Sequence, residues 1–255
     1  MMTPLVSVIT PSFNSEEFIG ETLYSLQKQT FSDWEICITD DCSSDRTRDI
    51  IREFSKKDSR IRLFELNENS GAAVARNNSL SMARGRFIAY LDADDVWYPN
   101  KLEMQVSFMT NNKIGFSCSS YEVIGLDGMP LGRNVKMLDK CDYVGFLTHN
   151  LLQTVGIMVD TSIIDKSLLI MPKLKRRQDA ATWLQILKAG YECYGIPEIL
   201  CGYRRVPNSL SSDKKKAAKG VWNLYRNVEK LSLPFSLYCF MRYAALAIWK
   251  RLYRK

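Results

Sequence analysis

The sequence predicts an α/β fold: a mostly parallel central sheet with helices on both faces, followed by a helical tail. Three observations carry this reading. Short β-branched apolar runs alternate with amphipathic stretches through the first 91 residues, a spacing that suits parallel strands joined by crossover helices. The loops at 11–14, 40–45 and 92–97 follow strand ends and are rich in polar and acidic side chains, and ligands of such sheets bind beyond the carboxyl ends of the strands. The charge is split near residue 213: Lys214–Lys255 holds eleven basic residues and one acid, so residues 1–213 carry about −3 of a total of +7.

Leu5–Thr10 (LVSVIT) is a buried strand ending at a proline. Ser15 is placed to cap a helix from Glu16 to Gln29, with two acids in its first turn to complement the helix dipole. Trp34–Thr39 is the second strand, and Ser44 with Asp45 opens a helix running to Lys57. Ile61–Leu66, a helix over Gly71–Arg84, and Arg86–Leu91 complete the alternation. The second half is less regular, with strands at Gly115–Ile124, Thr154–Val159 and Ile199–Arg205 and a helix over Gln178–Ala189. Residues 1–213 form one unit without an internal repeat.

The tail, 214–255, is basic and aromatic-rich. Leu224–Glu229 continues a helix from the lysine cluster at 214–219, Pro234 interrupts it, and Phe235–Tyr253 forms a second helix. The apolar stretch Leu231–Trp249 has the length of a membrane span, but Pro234 and Arg242 argue against spanning. An interfacial helix on an anionic membrane surface is expected, and packing on its own domain is the alternative.

The composition is that of a globular protein and excludes fibrous and disordered classes. Seven scattered cysteines without a CxxC or zinc spacing read as reduced thiols of a cytosolic protein. The N-terminus lacks the basic start and long apolar run of a signal peptide.

The strongest chemical signal is Asp92-Ala93-Asp94-Asp95 directly after a buried strand. Carboxylates so close repel one another, and a hard divalent cation with oxygen ligands, Mg²⁺ or Mn²⁺, offsets that cost; the plain alternative is a solvated acidic turn capping the next helix. Asp40 and Asp41 form a second pair, one of which suits capping. A dinucleotide-binding fold would need a glycine-rich turn after the first strand, but Thr10-Pro11-Ser12-Phe13-Asn14 has no glycine, which excludes a dehydrogenase.

VSVITPSFN at 6–14, QTFSDWEICITDDCSSD at 29–45, GAAVARNNSL at 71–80, GRFIAYLDADD at 85–95 and QDAATW at 178–183 occur in that order. Together they resemble the inverting family 2 glycosyltransferases of GT-A fold; the last 50 residues lie outside the resemblance. It implies that Thr10, Pro11 and Phe13 line a nucleobase pocket, that Asp41 accepts from a uracil imide, and that Arg76 reaches base or phosphates. Asp92 and Asp94 match the DxD motif: Asp94 would ligate the metal, with Asp92 on ribose or metal and Ala93 between them at the nucleotide sugar. Asp179 stands at the catalytic base, although Gln178 replaces the family's preceding acid. Arg204, in a Tyr203-Arg204 stretch followed by Ser209, Ser211 and Ser212, would approach the diphosphate. His149, the only histidine, reads as structural, and the third metal ligand is left open. The processive QxxRW motif is missing, which favours transfer of a single sugar.

The expected protein is thus a metal-dependent hexosyltransferase with a UDP-sugar donor and a lipid-linked saccharide acceptor of bacterial surface polysaccharide synthesis. It would be peripheral on the cytoplasmic face of the membrane, with no nucleic-acid partner. A nucleotidyltransferase, the alternative, predicts a glycine- and lysine-rich first loop that is not there. A nucleic-acid binder would leave the acids at the strand ends without a role.

Overall fold

The computed structural model describes residues 3–149, 152–206 and 214–253. Three strands begin it, β1 (Val6–Ser12), β2 (Trp34–Asp40) and β3 (Ile61–Glu65), joined by helices α1 (Ile19–Gln27) and α2 (Thr47–Lys57). Helix α3 (Ala72–Met82) leads to β4 (Phe87–Tyr90), a short β5 (Val96–Trp97) and α4 (Lys101–Asn112). There follow β6 (Phe116–Ile124), β7 (Pro130–Val135), β8 (Lys140–Cys141), α5 (Tyr143–His149), β9 (Ile157–Asp160), α6 (Gln178–Lys188) and β10 (Cys193–Arg204). The tail forms α7 (Lys214–Asn223), a π-turn at Leu224–Val228, and α8 (Leu233–Tyr253).

One sheet takes the order β3-β2-β1-β4-β9-β6-β10-β5, with β7 on β6 and β8 on β10. Strands β1, β2, β3 and β4 pair in parallel, as do β6 and β10, while β9 runs antiparallel between β4 and β6. β2 is buried at every position, as expected for a strand covered on both faces. The alternation read from the first 91 residues is therefore present, with the ends of β1 to β4 within two residues of expectation, while β9 begins three residues later and β10 six residues earlier than expected.

Successive strands step outward from β1 to β2 to β3, whereas β4 returns to the other side of β1. The crevice at that reversal lies beyond the carboxyl ends of β1 and β4, where open α/β sheets bind ligands. Pairing of β1 with β4 stops at Ile9 and Tyr90, while pairing with β2 continues to Ser12 and Asp40. Pro11, which has no N–H to give a ladder, sits where the β4 ladder has ended, so β1 parts from β4 there.

Two expectations change. Ser15 does not cap α1: its hydroxyl donates back to the Phe13 carbonyl (3.1 Å), and regular helix begins only at Ile19. The tail does not stand apart from the domain. Val221, Leu224, Tyr225 and Cys239 join the core cluster that holds Phe146, Trp183 and Leu184, and the Tyr225 hydroxyl donates to the Leu147 carbonyl (2.5 Å). Pro234 lies in the first turn of α8, where its missing N–H costs nothing. Among the described residues no helix is long and apolar enough to cross a membrane.

Candidate active site

The loops after β1 and β2 are zipped together. The Asn14 amide donates to Ser43 Oγ (2.9 Å), and Asn14 Oδ1 accepts from the Ser44 amide (2.9 Å). The Glu16 amide donates to Asp45 (3.1 Å), and Glu16 in turn accepts from the Arg46 amide (2.9 Å). Asn14, Cys42 and Arg177 hold positive φ (45°, 64° and 65°) in loops at this end of the sheet or at the start of α6. Such backbone is tolerated where surrounding bonds over-determine it and concentrates at functional sites.

Asp40 is fully buried and accepts from Ser12 Oγ (3.0 Å), Ser43 Oγ (2.6 Å) and the Ser43 amide (2.8 Å), so it shapes the loop rather than capping a helix. Asp41 accepts from the amides of Ser70 (2.7 Å) and Gly71 (2.8 Å). Gly71 opens α3 at φ 92°, a conformation that favours glycine. Asp41 thereby orders the entry of α3, the helix that carries Arg76. Phe13 is 47% exposed, presenting its ring at the rim. Thr10 is fully buried, with its hydroxyl unpartnered among the described residues.

The acidic turn follows β4. Arg76, itself buried, donates to Asp92 Oδ1 at 2.6 Å and lies within the field of both Asp179 and Tyr90. Burial alone would lower its pKa, but Asp92 and Asp179 outweigh it, so this cation is permanent. Burial first, and then Asp92, pushes the Asp94 carboxyl up to about 6. Burial, with Asp94 and Asp92, raises Asp95 as well. Asp95 accepts from the Arg204 amide (2.8 Å), and Thr22 Oγ1 donates to the carbonyls of Ala93 (3.0 Å) and Asp95 (2.8 Å). The turn is thus held rigidly while its carboxylates repel, a mismatch that a divalent cation relieves. The oxygen donor set fits Mg²⁺ or Mn²⁺. Among the described residues no three His, Cys, Asp or Glu side chains gather to hold an ion by themselves. His149 bonds within α5, to Gly145 O (3.1 Å) and Thr148 Oγ1 (2.9 Å).

Asp179 sits in the first turn of α6, where the helix dipole favours a carboxylate, and accepts from Thr154 Oγ1 (3.3 Å). The structure therefore brings Asp92, Arg76 and Asp179 together from three elements. Sequence reasoning missed Tyr90 beneath them: its hydroxyl is buried and unpartnered among the described residues, and its ring meets Trp183 of α6 edge-on at 5.1 Å. The apolar strand pattern around Tyr90 hid its polar end. Thr22 and Thr154 carry no local signal at all.

Arg204 departs from its expected role. Its guanidinium is fully enclosed, donating to the carbonyls of Asp94 (2.7 Å), Gly125 (3.0 Å) and Leu126 (2.9 Å) and to Glu21 (2.5 Å). With its donors spent on the protein, it fixes the acidic turn from behind instead of facing a nucleotide. Ser209, Ser211 and Ser212 lie outside the described residues.

An open α/β sheet with a rim aromatic, a repelling acidic turn and a facing carboxylate at the reversal point defines a GT-A glycosyltransferase. The comparisons agree. The profile of glycosyl transferase family 2 matches residues 7–162, and the chain belongs to that family. It is 44% identical over 249 residues to TuaG of Bacillus subtilis (strain 168), a protein assigned by name to teichuronic acid biosynthesis, covering 98% of each chain. It is 39% identical over 254 residues to WfgD of Escherichia coli, named a UDP-Glc:α-D-GlcNAc-diphosphoundecaprenol β-1,3-glucosyltransferase, covering 96% and 94%. The fold matches S. aureus TarS in complex with UDP-GlcNAc at a TM-score of 0.71 and 19% identity, over 94% of this chain and 71% of that one. It also matches the mannosyltransferase PcManGT of Pyrobaculum calidifontis with GDP-Man and Mn²⁺ at 0.70 and 18%, over 99% and 76%.

Proposed function

We propose that this glycosyltransferase moves one hexose from a UDP-sugar to a hydroxyl of a lipid-linked, diphosphoundecaprenol-borne saccharide in bacterial surface polysaccharide synthesis, with inversion at the anomeric carbon. The observation that carries the chemistry is the convergence of the acidic turn, Arg76 and Asp179 at the reversal point of the sheet. The names of TuaG and WfgD support the pathway and the acceptor class.

Phe13, with Thr10 and Pro11, offers one wall for the base, and Asp41 either meets the uracil or acts through the loop it holds. Asp94 and Asp92 would hold Mn²⁺ or Mg²⁺ together with the donor diphosphate; the ion supplies charge neutralisation of the leaving phosphate. Ala93, small and buried, lets the turn come close to the donor. Arg76 keeps Asp92 oriented and adds a fixed positive charge. Asp179 takes the acceptor proton as the new glycosidic bond forms and the bond to the diphosphate breaks. Thr154 orients that carboxylate.

The tail supports a peripheral position on the cytoplasmic face of the membrane. One face of α8 is packed into the domain through Cys239 and Ser236, while Leu233, Leu237, Tyr238 and Met241 form an exposed row beside a strongly basic segment, the pattern of an interfacial helix.

The test is to screen UDP- and GDP-hexoses for nucleotide release in the presence of a lipid-linked saccharide, with Mn²⁺ and with EDTA. We expect release with a UDP-hexose, dependent on both acceptor and metal. Full turnover in EDTA would remove the metal, and release only with GDP-sugars would overturn the donor assignment. Because truncating the tail would open the core, its role is tested with Leu237→Ser/Met241→Ser, which should weaken vesicle binding while leaving turnover on a short soluble acceptor intact.

A further inference from the structure

We propose that the β6–β7 hairpin is a second membrane-contact element that seats the rim of the active site on an anionic lipid surface. Leu126, Met129 and Leu131 expose 47, 63 and 54% of their surface within six residues. The turn cannot fold them back. The Gly125 amide donates to Met129 O (2.8 Å), the Gly128 amide to Gly125 O (3.2 Å), and Asp127 Oδ1 accepts from the Met129 amide (3.1 Å). Gly128 adopts φ 76°, and a Cβ there would meet Glu21 Oε1 at 2.8 Å. The apolar tip is therefore held outward by a locked backbone.

Arg133 and Lys136 follow on the same arm, both exposed, and neither makes an ion pair with the described residues. The acids nearby are Asp127, engaged in the turn, Glu21, bonded to Arg204, Glu122, bonded to the Tyr98 hydroxyl, and Asp139. An exposed apolar tip flanked by free cations matches the boundary between acyl chains and anionic headgroups.

The hairpin leaves β6 at the end that carries the site, and the buried Arg204 guanidinium ties its Gly125 and Leu126 carbonyls to the Asp94 carbonyl. A docked hairpin would hold the acidic turn at a fixed height above the bilayer. This consequence rests on the lipid-linked acceptor proposed above; the docking itself does not need it.

The experiment is co-sedimentation of the full chain with vesicles of phosphatidylcholine, with and without phosphatidylglycerol. We expect Leu126→Ser/Met129→Ser/Leu131→Ser to bind the anionic vesicles at least about tenfold more weakly, with Leu237→Ser/Met241→Ser losing affinity independently. Met129→Trp should bind at least as well as the parent, and its added fluorescence should shift to the blue and be quenched by brominated lipid. The triple variant should keep its turnover on a short soluble acceptor, which separates this result from any failure of the sugar-transfer reading. Parent-like vesicle binding by the triple variant would overturn the proposal. So would a change in its oligomeric state without a change in vesicle binding, which would make the hairpin a self-association surface.

Discussion

Buried carboxylates lie at both ends of the sheet, and those of the acidic turn are held differently from the rest. At the amino end of β2, Glu35 accepts from Ser7 Oγ (2.8 Å), Arg62 (2.8 Å) and Arg84 (2.5 and 2.9 Å). At the end of the antiparallel β9, Asp160 takes both arms of Arg86 (2.9 and 2.6 Å) and the Ser162 hydroxyl (2.7 Å). Burial would raise both pKa values, yet these bonds together hold both below the usual carboxylate range. At the carboxyl end, Asp94 and Asp95 are raised by burial and by each other. Arg204 comes close, but it spends its side chain on the Asp94 carbonyl rather than on the carboxylate. Glu35 and Asp160 are satisfied and stabilise the fold, as are Asp40 and Asp41 at the carboxyl end. Asp94 and Asp95 repel one another and cost stability, which a cation would offset.

The largest effect should follow from breaking the unsatisfied end. Asp94→Ala is expected to lower transfer by at least about 10³-fold, because it would remove a ligand of the proposed metal. It should leave the fold as stable as before, or more stable by about 1 kcal/mol, since a repelled, half-buried carboxylate is gone. Turnover and thermal unfolding measured on the same preparation check both halves; a marked loss of stability would mean that the acidic turn is structural.

Asp179→Asn comes next. It is nearly isosteric and keeps an acceptor for Thr154, so only the proposed proton acceptance would be lost. Turnover should fall about 10²–10⁴-fold with little change in UDP affinity. Near-parental turnover, read from nucleotide release at saturating donor and acceptor, would move the base to another carboxylate.

The satisfied end should respond the other way. Glu35→Gln leaves Arg62 and Arg84 without their anion, and breaking a buried pair costs about 3–5 kcal/mol. Both arginines are partly solvated, so a loss of about 2–3 kcal/mol is expected, read from the denaturation midpoint, with turnover per folded molecule unchanged. A matching loss of turnover would show that the two ends are coupled.

Much of this contrast was legible in the sequence. The alternation of the first 91 residues is the alternation of the sheet, and Arg76 bonds Asp92 and lies in the field of Asp179, while the roles that the resemblance implies for these residues stand as proposals. What was not legible depends on distant partners. Arg204 looked available because neither Glu21 nor the Gly125–Leu126 carbonyls are its neighbours in sequence. Ser15 looked like a cap, but its hydroxyl turns back to the Phe13 carbonyl, and its amide and that of Glu16 are taken by Thr47 and Asp45, some thirty residues away in sequence. The tail looked separate because a row such as Leu233, Leu237 and Met241 does not reveal that Ser236 and Cys239, on the other face, are wholly buried.

Lys101 offers the smallest and sharpest test, because it is an unsatisfied buried charge to which no role in the site is assigned. It opens α4 with no exposed surface; its Nζ lies 3.5 Å from the centre of the Trp97 ring and has no hydrogen-bond partner among the described residues. Burial pulls its pKa down to about 7 from 10.5. Between those values the unfolded chain binds a proton that the folded chain does not, so wild-type stability should rise with pH across that window, while below about 7 the full penalty is present. Lys101→Met keeps the unbranched stem and removes the charge. It should gain about 1–2 kcal/mol at pH 7 or below, equivalent to roughly 2–8 °C in Tm, and the gain should shrink as pH rises toward the unfolded pKa. Turnover should not change. Melting curves across the pH series decide the matter. A variant less stable at every pH would show that the contact with Trp97 outweighs desolvation, and a loss of turnover would show that an unsatisfied charge marks function even away from the acidic turn.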